Sequence, residues 1–348
     1  MSMNTQRGSD PSHQPSQHDR PALGEGSDPR LVTPYQQLRK ATLDRDRGLR
    51  EKVVSLEEAA KIVRDGDHVG IGGCTMSRTP IAMIWALIRA RKKDLTISRS
   101  ITSTEGDLLF ASGVSEHVIT SWFTQGIVWG VSKVMRHYTE NKLARFDEWS
   151  HMSIGLRYRA GAMGIPFMPS RSMIGSGVGK RVGDELKTMT CPFTGEEIVL
   201  LPALNPDVVL IHVQRCDAYG NAQLDGLQFM DIDMAMAANR VILTTERIVS
   251  NDQIRRTPDQ TRIPFFTVEA VVEAPMGCAP HECYGLYEPF FSQLDDYAAR
   301  TSKDPVKGCQ QYLEEFYYGP KSWPDYLSKL GMEAVLDACR RGRSVHND

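Results

Sequence analysis

The chain has 348 residues, within the range of a single large α/β unit, and its 41% hydrophobic and 24% charged residues are ordinary for a globular protein. Its 41 Lys and Arg against 43 Asp and Glu leave a net charge of −2, giving no reason to expect nucleic acid or an anionic membrane as partner. No apolar run reaches the roughly 18 residues needed to span a bilayer, the polar N-terminus has no signal-peptide core, and the seven cysteines show no framework spacing, so a cytoplasmic chain with reduced thiols is expected.

Residues 1–30 hold four apolar side chains, Met1, Met3, Ala22 and Leu23, among Ser, Pro, Gln, Asp and Gly. They cannot bury enough surface to offset the entropy of ordering and read as a disordered tail. Residues 31–50 are charged and compatible with a helix that lies on a partner. Ser55-Leu-Glu-Glu58 has capping-box spacing and opens a helix through Arg64, with Gly66 placed for a left-handed end. His68–Ile71 reads as a buried strand running into Gly72-Gly73. Pro80 suits the first turn of a helix whose buried face repeats at Ile81, Ile84, Trp85, Leu87 and Ile88.

Further strands are expected at Leu95–Ile101, His117–Ser121, Ile165–Pro169, Ile198–Leu201, Val208–Val213, Val241–Thr245 and Thr267–Val272. Helices are expected within 129–144, 149–164 and 228–239. The fold class is therefore α/β, an open, mostly parallel sheet flanked by helices. Residues 283–340 are rich in aromatics and carry no strand signal. The expected organisation is a loosely ordered tail (1–50), an α/β domain (51–282) and a helical aromatic-rich C-terminal extension (283–348) that packs on the body or on a partner.

Gly70-Ile-Gly-Gly-Cys74-Thr-Met-Ser-Arg78-Thr-Pro80 links a strand to a helix, where ligands of open α/β sheets bind. It lacks the third glycine of a dinucleotide fingerprint and is no P-loop. Backbone N–H groups around Gly72, Gly73 and Cys74 are candidates for an oxyanion or a carboxylate, and Arg78 for clamping a carboxylate. The alternatives are glycines that only solve a tight turn and an Arg78 engaged in a surface salt bridge or a helix contact.

Asp67-His-Val-Gly-Ile-Gly-Gly-Cys-Thr-Met-Ser-Arg-Thr-Pro80 resembles the first signature of family I coenzyme A-transferases, and more narrowly alpha (A) subunits of the glutaconate type. The resemblance runs from about Ser55 to about Leu336. It takes in Gly164–Pro169, Gly175–Gly177, His212–Gln214, Gly220-Asn221, Glu246–Ser250, Ala270–Pro275, Cys283–Tyr287 and Asp325–Gly331. It implies an alpha subunit of a heteromeric enzyme that moves coenzyme A between an acyl-CoA and a short acid, dicarboxylic acids such as glutaconate being among the candidates. The nucleophilic glutamate and its glutamyl-CoA intermediate would lie on a beta subunit, since the Ser-Glu-Asn-Gly signature is missing here. The resemblance also implies that Thr75, Ser77 and Arg78 hold the distal carboxylate of the acid. The assembly would be a heterodimer or larger, with no metal and no cofactor beyond the coenzyme A thioester as substrate. Cys74 stands where the family usually has Phe. The rivals are a hydrolase or decarboxylase on the same fold, of the type that cleaves steroid-derived rings, and a non-catalytic CoA-binding regulatory subunit.

Gly175, Ser176 and Gly177 are candidates for a second wall of the acyl pocket, and Gln214 and Asn221 for substrate contacts. The alternatives are a flexible turn and amides that hold their own loop. Glu105 is the outside candidate for a catalytic carboxylate, with an exposed loop acid the favoured reading. Glu148 and His151 are weaker acid/base candidates. Cys278-Ala-Pro-His281-Glu-Cys283 invites zinc, but the spacing is not a C-x2-C pair and no further ligands are evident nearby, so no metal site is expected.

Overall fold

The computed structural model describes residues 33–126, 128–183 and 186–344. The expectation of a disordered tail over residues 1–30 lies outside them. Strands in the first half are β1 (His68–Ile71), β2 (Leu95–Ser98), β3 (Ile101–Thr102), β4 (Ser115–Thr120), β5 (Trp122–Phe123) and β6 (Arg145–Glu148). A side sheet follows as β7 (Phe167–Ser170), β8 (Lys187–Thr190) and β9 (Glu197–Pro202). The second half has β10 (Val208–Val213), β11 (Arg215–Cys216), β12 (Ala222–Gln223), β13 (Arg240–Thr245), β14 (Thr261–Ile263) and β15 (Val268–Glu273).

Seven of these form one sheet in the order β15-β13-β10-β1-β2-β4-β6, and every neighbouring pair is parallel. Every residue of β1 and β10 is buried, as it must be in a parallel sheet covered on both faces. Side chains alternate between two cores: Val208 and Leu210 point to one, Val209, Ile211 and Val213 to the other.

Helices fill both faces. α1 (Tyr35–Asp44) buries no residue of its own, and Arg45 beyond it bonds Ala238 O at 2.6 Å. α2 (Leu56–Ile62) starts with the expected capping box between Ser55 and Glu58. α3 (Ile81–Arg89), α4 (Thr104–Ala111) and α5 (Lys133–Glu140) share the first core with α2. α6 (His151–Met163) lies in the second core, α7 (Gly177–Val182) follows it, and α8 (Asp231–Ala237) packs along α6. α9 (Asn251–Arg256) precedes the last strands.

After β15 the chain is helical: α10 (Phe291–Lys303), α11 (Pro305–Tyr312), a π-type segment Leu313–Tyr318, α12 (Trp323–Leu330) and α13 (Met332–Ser344). This extension packs on the body. Trp323 stacks on Tyr326 at 4.6 Å and meets Trp85 of α3 edge-on at 6.0 Å. Each such buried aromatic is worth roughly 1.5–3 kcal/mol relative to exposure.

Three expectations need correction. The strand signals at 165–169 and 198–201 are real, but they belong to the antiparallel side sheet β7-β9-β8, because an apolar run does not say which sheet it joins. The 129–144 segment is helical only over Lys133–Glu140. It is followed by β6, whose Arg-Phe-Asp-Glu run carries no strand signal because it is the half-exposed edge of the sheet.

Candidate functional site

The chain leaves β1 toward β2 on one side, while β10 on the other side leads toward β13. Connections that diverge in this way open a crevice at the carboxyl ends of β1 and β10. Gly72 and Gly73 lie there. A Cβ on Gly73 would stand 2.4 Å from Ser77 O, and its φ is +79°. Thr75 and Arg78 also have positive φ, at 49° and 55°, which is costly for a β-branched and a long side chain.

The turn is closed on itself. Gly72 N–H donates to Leu210 O at 2.9 Å, Gly73 N–H to Asp231 Oδ1 at 2.7 Å and Cys74 N–H to Ser77 O at 2.9 Å. The three N–H groups expected to face an oxyanion are therefore already used inside the chain. Arg78 is likewise no substrate clamp and no surface residue. Its guanidinium is fully buried, paired with Asp231 and bonded to the carbonyls of His212 and Leu227. It fastens the turn to the start of α8 and to β10.

Around this frame stand the groups left for a ligand. Cys74 and Thr75 are partly exposed, and partial burial pushes the Cys74 thiol up. Ser77 is paired through the backbone with Glu282, whose carboxyl is pushed up by burial. Nothing in the residue pattern marks Glu282, because its place beside the turn comes from a backbone pairing between distant parts of the chain, Arg78 N–H to Glu282 O at 2.9 Å.

Glu105 is not an exposed loop acid. It lies in the first turn of α4, fully buried, paired with Arg99 and accepting from Ser103 N–H at 2.7 Å. Arg99 also donates to Thr75 O at 2.8 Å and to Thr79 Oγ1 at 3.0 Å, holding the strained residue in place.

The ends of β2, β4 and β6 converge on His151, the first residue of α6. Its Nδ1 lies 2.8 Å from Ser100 Oγ and 3.2 Å from Ser121 Oγ, and Phe229 packs against the ring at 5.1 Å. The side chain is exposed, and what burial there is holds the imidazole below its ordinary range, hence neutral near pH 7. Ser121 also lines a 540 Å³ cavity at the open edge of the sheet, walled by Trp122, Phe123, Phe146, Trp149 and Val182 with Arg181 beside them. Such a volume suits a small ligand.

The remaining candidates divide. Ser176 Oγ caps α7 by accepting from Gly179 N–H at 2.9 Å, with Gly175 in the left-handed region and open space at Gly177. This segment touches the site's rim through Ser172 Oγ, 2.8 Å from Ser150 Oγ. Gln214 and Asn221 are engaged within the chain, each bonding both its own loop and a distant segment. Gln214 bonds the backbone of Asp225 and Tyr284, and Asn221 bonds Asp217 and accepts from Phe265 N–H. Glu148 is paired with Arg181 at 2.8 Å near the surface. His281 is buried against Thr104 Oγ1 at 2.6 Å, away from the two cysteines that flank it in sequence. Those cysteines instead meet His212 and Glu246. Among the described residues no helix is long and apolar enough to cross a membrane.

The profile of the coenzyme A transferase family matches residues 53–274, the whole parallel sheet from the bridge before α2 to the end of β15. The chain belongs to the coenzyme A transferase family. Within it, the chain is 32% identical to the alpha (A) chain of the glutaconate CoA-transferase of Acidaminococcus fermentans, over 82% of this chain and 94% of that one. The crystal structure of that glutaconate coenzyme A-transferase superposes with a TM-score of 0.78 at 33% identity, covering 82% of this chain and 95% of the other. The chain is 30% identical to the cholesterol ring-cleaving hydrolase IpdA subunit of Rhodococcus jostii, over 81% and 96% of the two chains. It is 35% identical to an uncharacterized protein of Archaeoglobus fulgidus over 86% of its own length, and spans 66% of that longer protein.

Proposed function

We propose that this chain is the alpha chain of a two-chain CoA-transferase that exchanges coenzyme A between an acyl-CoA and a short dicarboxylic acid. The observation that carries the reading is the state of the carboxylates beside the glycine turn. Asp231 and Glu105 are each buried and locked to an arginine, so neither is free to attack a thioester. Glu282, the third carboxyl beside the turn, is half-buried and pushed toward its protonated form, so on this reading the transferase takes its nucleophile from a second chain.

On that reading the partner's glutamate oxygen attacks the acyl-CoA carbonyl, the C–S bond breaks and the CoA thiolate leaves. The thiolate returns to the glutamyl carbonyl of the mixed anhydride, releasing the first acid and leaving a glutamyl-CoA thioester. The acceptor carboxylate reverses these steps, so no water and no redox equivalent is consumed. This chain supplies the crevice. His151, steadied by Ser100 and Ser121, offers an N–H to the acid, and the aromatic cavity beside Ser121 takes its carbon chain. Cys74, Thr75 and Ser77 line the near wall.

The sequence similarity to a ring-cleaving hydrolase chain favours a second reading, in which the same crevice holds a larger cyclic acyl-CoA and water replaces the acceptor acid. The test is acyl exchange measured on this chain alone, on its co-expressed partner alone and on the pair. Exchange by the pair only, without net thioester hydrolysis, supports the transferase. Stoichiometric release of free coenzyme A by the pair supports the hydrolase, and exchange by this chain alone overturns both.

A further inference from the structure

We infer that His212, Glu246, Cys278 and Cys283 form a structural zinc site that pins the loop Met276–Tyr287 to the carboxyl ends of β10 and β13. One ligand atom from each of the four lies within 4.8 Å of every other. A tetrahedral zinc ion bound at about 2.0–2.3 Å spaces its ligands by about 3.3–3.8 Å, so closing the site takes side-chain shifts of about an ångström or less. Sequence spacing could not show this set. The two cysteines are close in the chain, but the imidazole comes from β10 and the carboxylate from the residue after β13.

His212 Nε2 and Glu246 Oε1 share a hydrogen bond, and zinc would take the place of the proton between them. His212 Nδ1 is bonded to Thr244 Oγ1 at 2.8 Å, which leaves Nε2 facing Glu246 Oε1, also at 2.8 Å. Glu246 is in turn held by Met276 N–H at 2.8 Å and by the Tyr287 hydroxyl at 2.6 Å. Such outer hydrogen bonds fix the tautomer and direction of metal ligands. The loop comes so close to the imidazole that a Cβ on Gly277 would lie 2.6 Å from His212 Cε1.

Two sulfurs, one imidazole and one carboxylate favour zinc over magnesium or calcium. Four protein ligands in a site where His212 and both cysteines are fully buried leave no open position, which makes the ion structural rather than catalytic. Binding releases the two thiol protons and any proton on His212. The ion's place explains a second feature of the fold. The loop it pins carries Glu282, whose backbone pairs with Met76 and Arg78 and so shapes the substrate turn from below.

The inference is independent of the reaction, and its test does not use activity. The chain, co-expressed with its partner in zinc-supplemented medium and desalted, is assayed for metal by atomic emission. About one zinc per chain is expected. The Cys278→Ser variant should lose it, while Cys191→Ser, at a loop away from the cluster, should keep it. Cobalt exchanged into the site should give thiolate-to-cobalt absorption in the near ultraviolet and tetrahedral bands in the visible. A folded wild-type chain without bound zinc, or with a Cys278–Cys283 disulfide in its place, overturns the inference. So does zinc that survives Cys278→Ser. Because the wild-type stoichiometry decides by itself, misfolding of a variant does not protect the proposal.

Discussion

Arg78 and Asp231 meet as an ion pair in which neither side chain is exposed to solvent, and the pair ties the glycine turn to the first residue of α8. Asp231 divides its carboxylate between this guanidinium and Gly73 N–H, so one side chain holds both ends of the turn. Removing either partner leaves a buried charge without compensation, which typically costs about 3–5 kcal/mol.

Arg78→Ala should therefore lower the denaturation midpoint strongly and reduce activity with mono- and dicarboxylic acids alike. A selective loss with dicarboxylic acids in a fully stable variant would return Arg78 to the role of substrate clamp. Urea unfolding and KM values for one acid of each kind check this.

Glu105→Gln should behave as a structural change. It strands Arg99, which also steadies Thr75, and should cost about 3–5 kcal/mol of stability. Whatever enzyme remains folded should still form its covalent intermediate on the partner chain. Intermediate formation, followed by mass spectrometry of the quenched pair, separates this outcome from a catalytic Glu105.

His151→Ala should leave stability within about 0.5 kcal/mol, because the side chain is exposed. It should raise KM for the acid about tenfold or more, as expected for loss of a hydrogen bond to a charged group worth about 1.5–3 kcal/mol. Ser100→Ala should do the same more weakly by freeing the imidazole. An unchanged KM in both variants would remove His151 from the site.

His68 gives a pH signature. Burial, aided by the charges of His117 and Arg157, pulls its pKa from 6.5 to about 3, and its Nε2 is bonded to Ser98 Oγ at 2.6 Å. The unfolded chain takes up a proton near 6.5 and the folded chain does not until about 3. The stability is thus complete above about pH 6.5 and is lost as pH falls through that window, by about 1.4 kcal/mol per pH unit for this one group. His68→Gln should flatten the acid limb of stability against pH by one proton. An unchanged slope would show that His68 protonates in the folded state.

The parallel sheet was legible because its inner strands, such as Val208–Val213 and Val241–Thr245, are dominated by β-branched and other apolar residues that are stable only when buried on both faces. β6 was not, since an edge strand needs little apolar surface, and β7 and β9 were legible as strands but not as members of a separate sheet. The glycine turn was found from its residues. Its partners were not, because Asp231 lies 153 residues from Arg78 and nothing local marks either one as buried. Similar separation along the chain hid Glu282 and the gathering of His212 and Glu246 around Cys278 and Cys283. His151 drew attention only as a lone titratable residue, and it took the ends of β2 and β4 to give it partners.

The central claim is that this chain shapes the crevice while its partner carries the nucleophile. The co-purified pair, incubated with an acyl-CoA and then treated with borohydride, tests it most directly. Reduction of a glutamyl thioester should convert one glutamate of the partner to its alcohol, abolish exchange and leave every peptide of this chain unmodified. A reduced glutamate at Glu105 or Glu282, or full activity after treatment, would contradict the account.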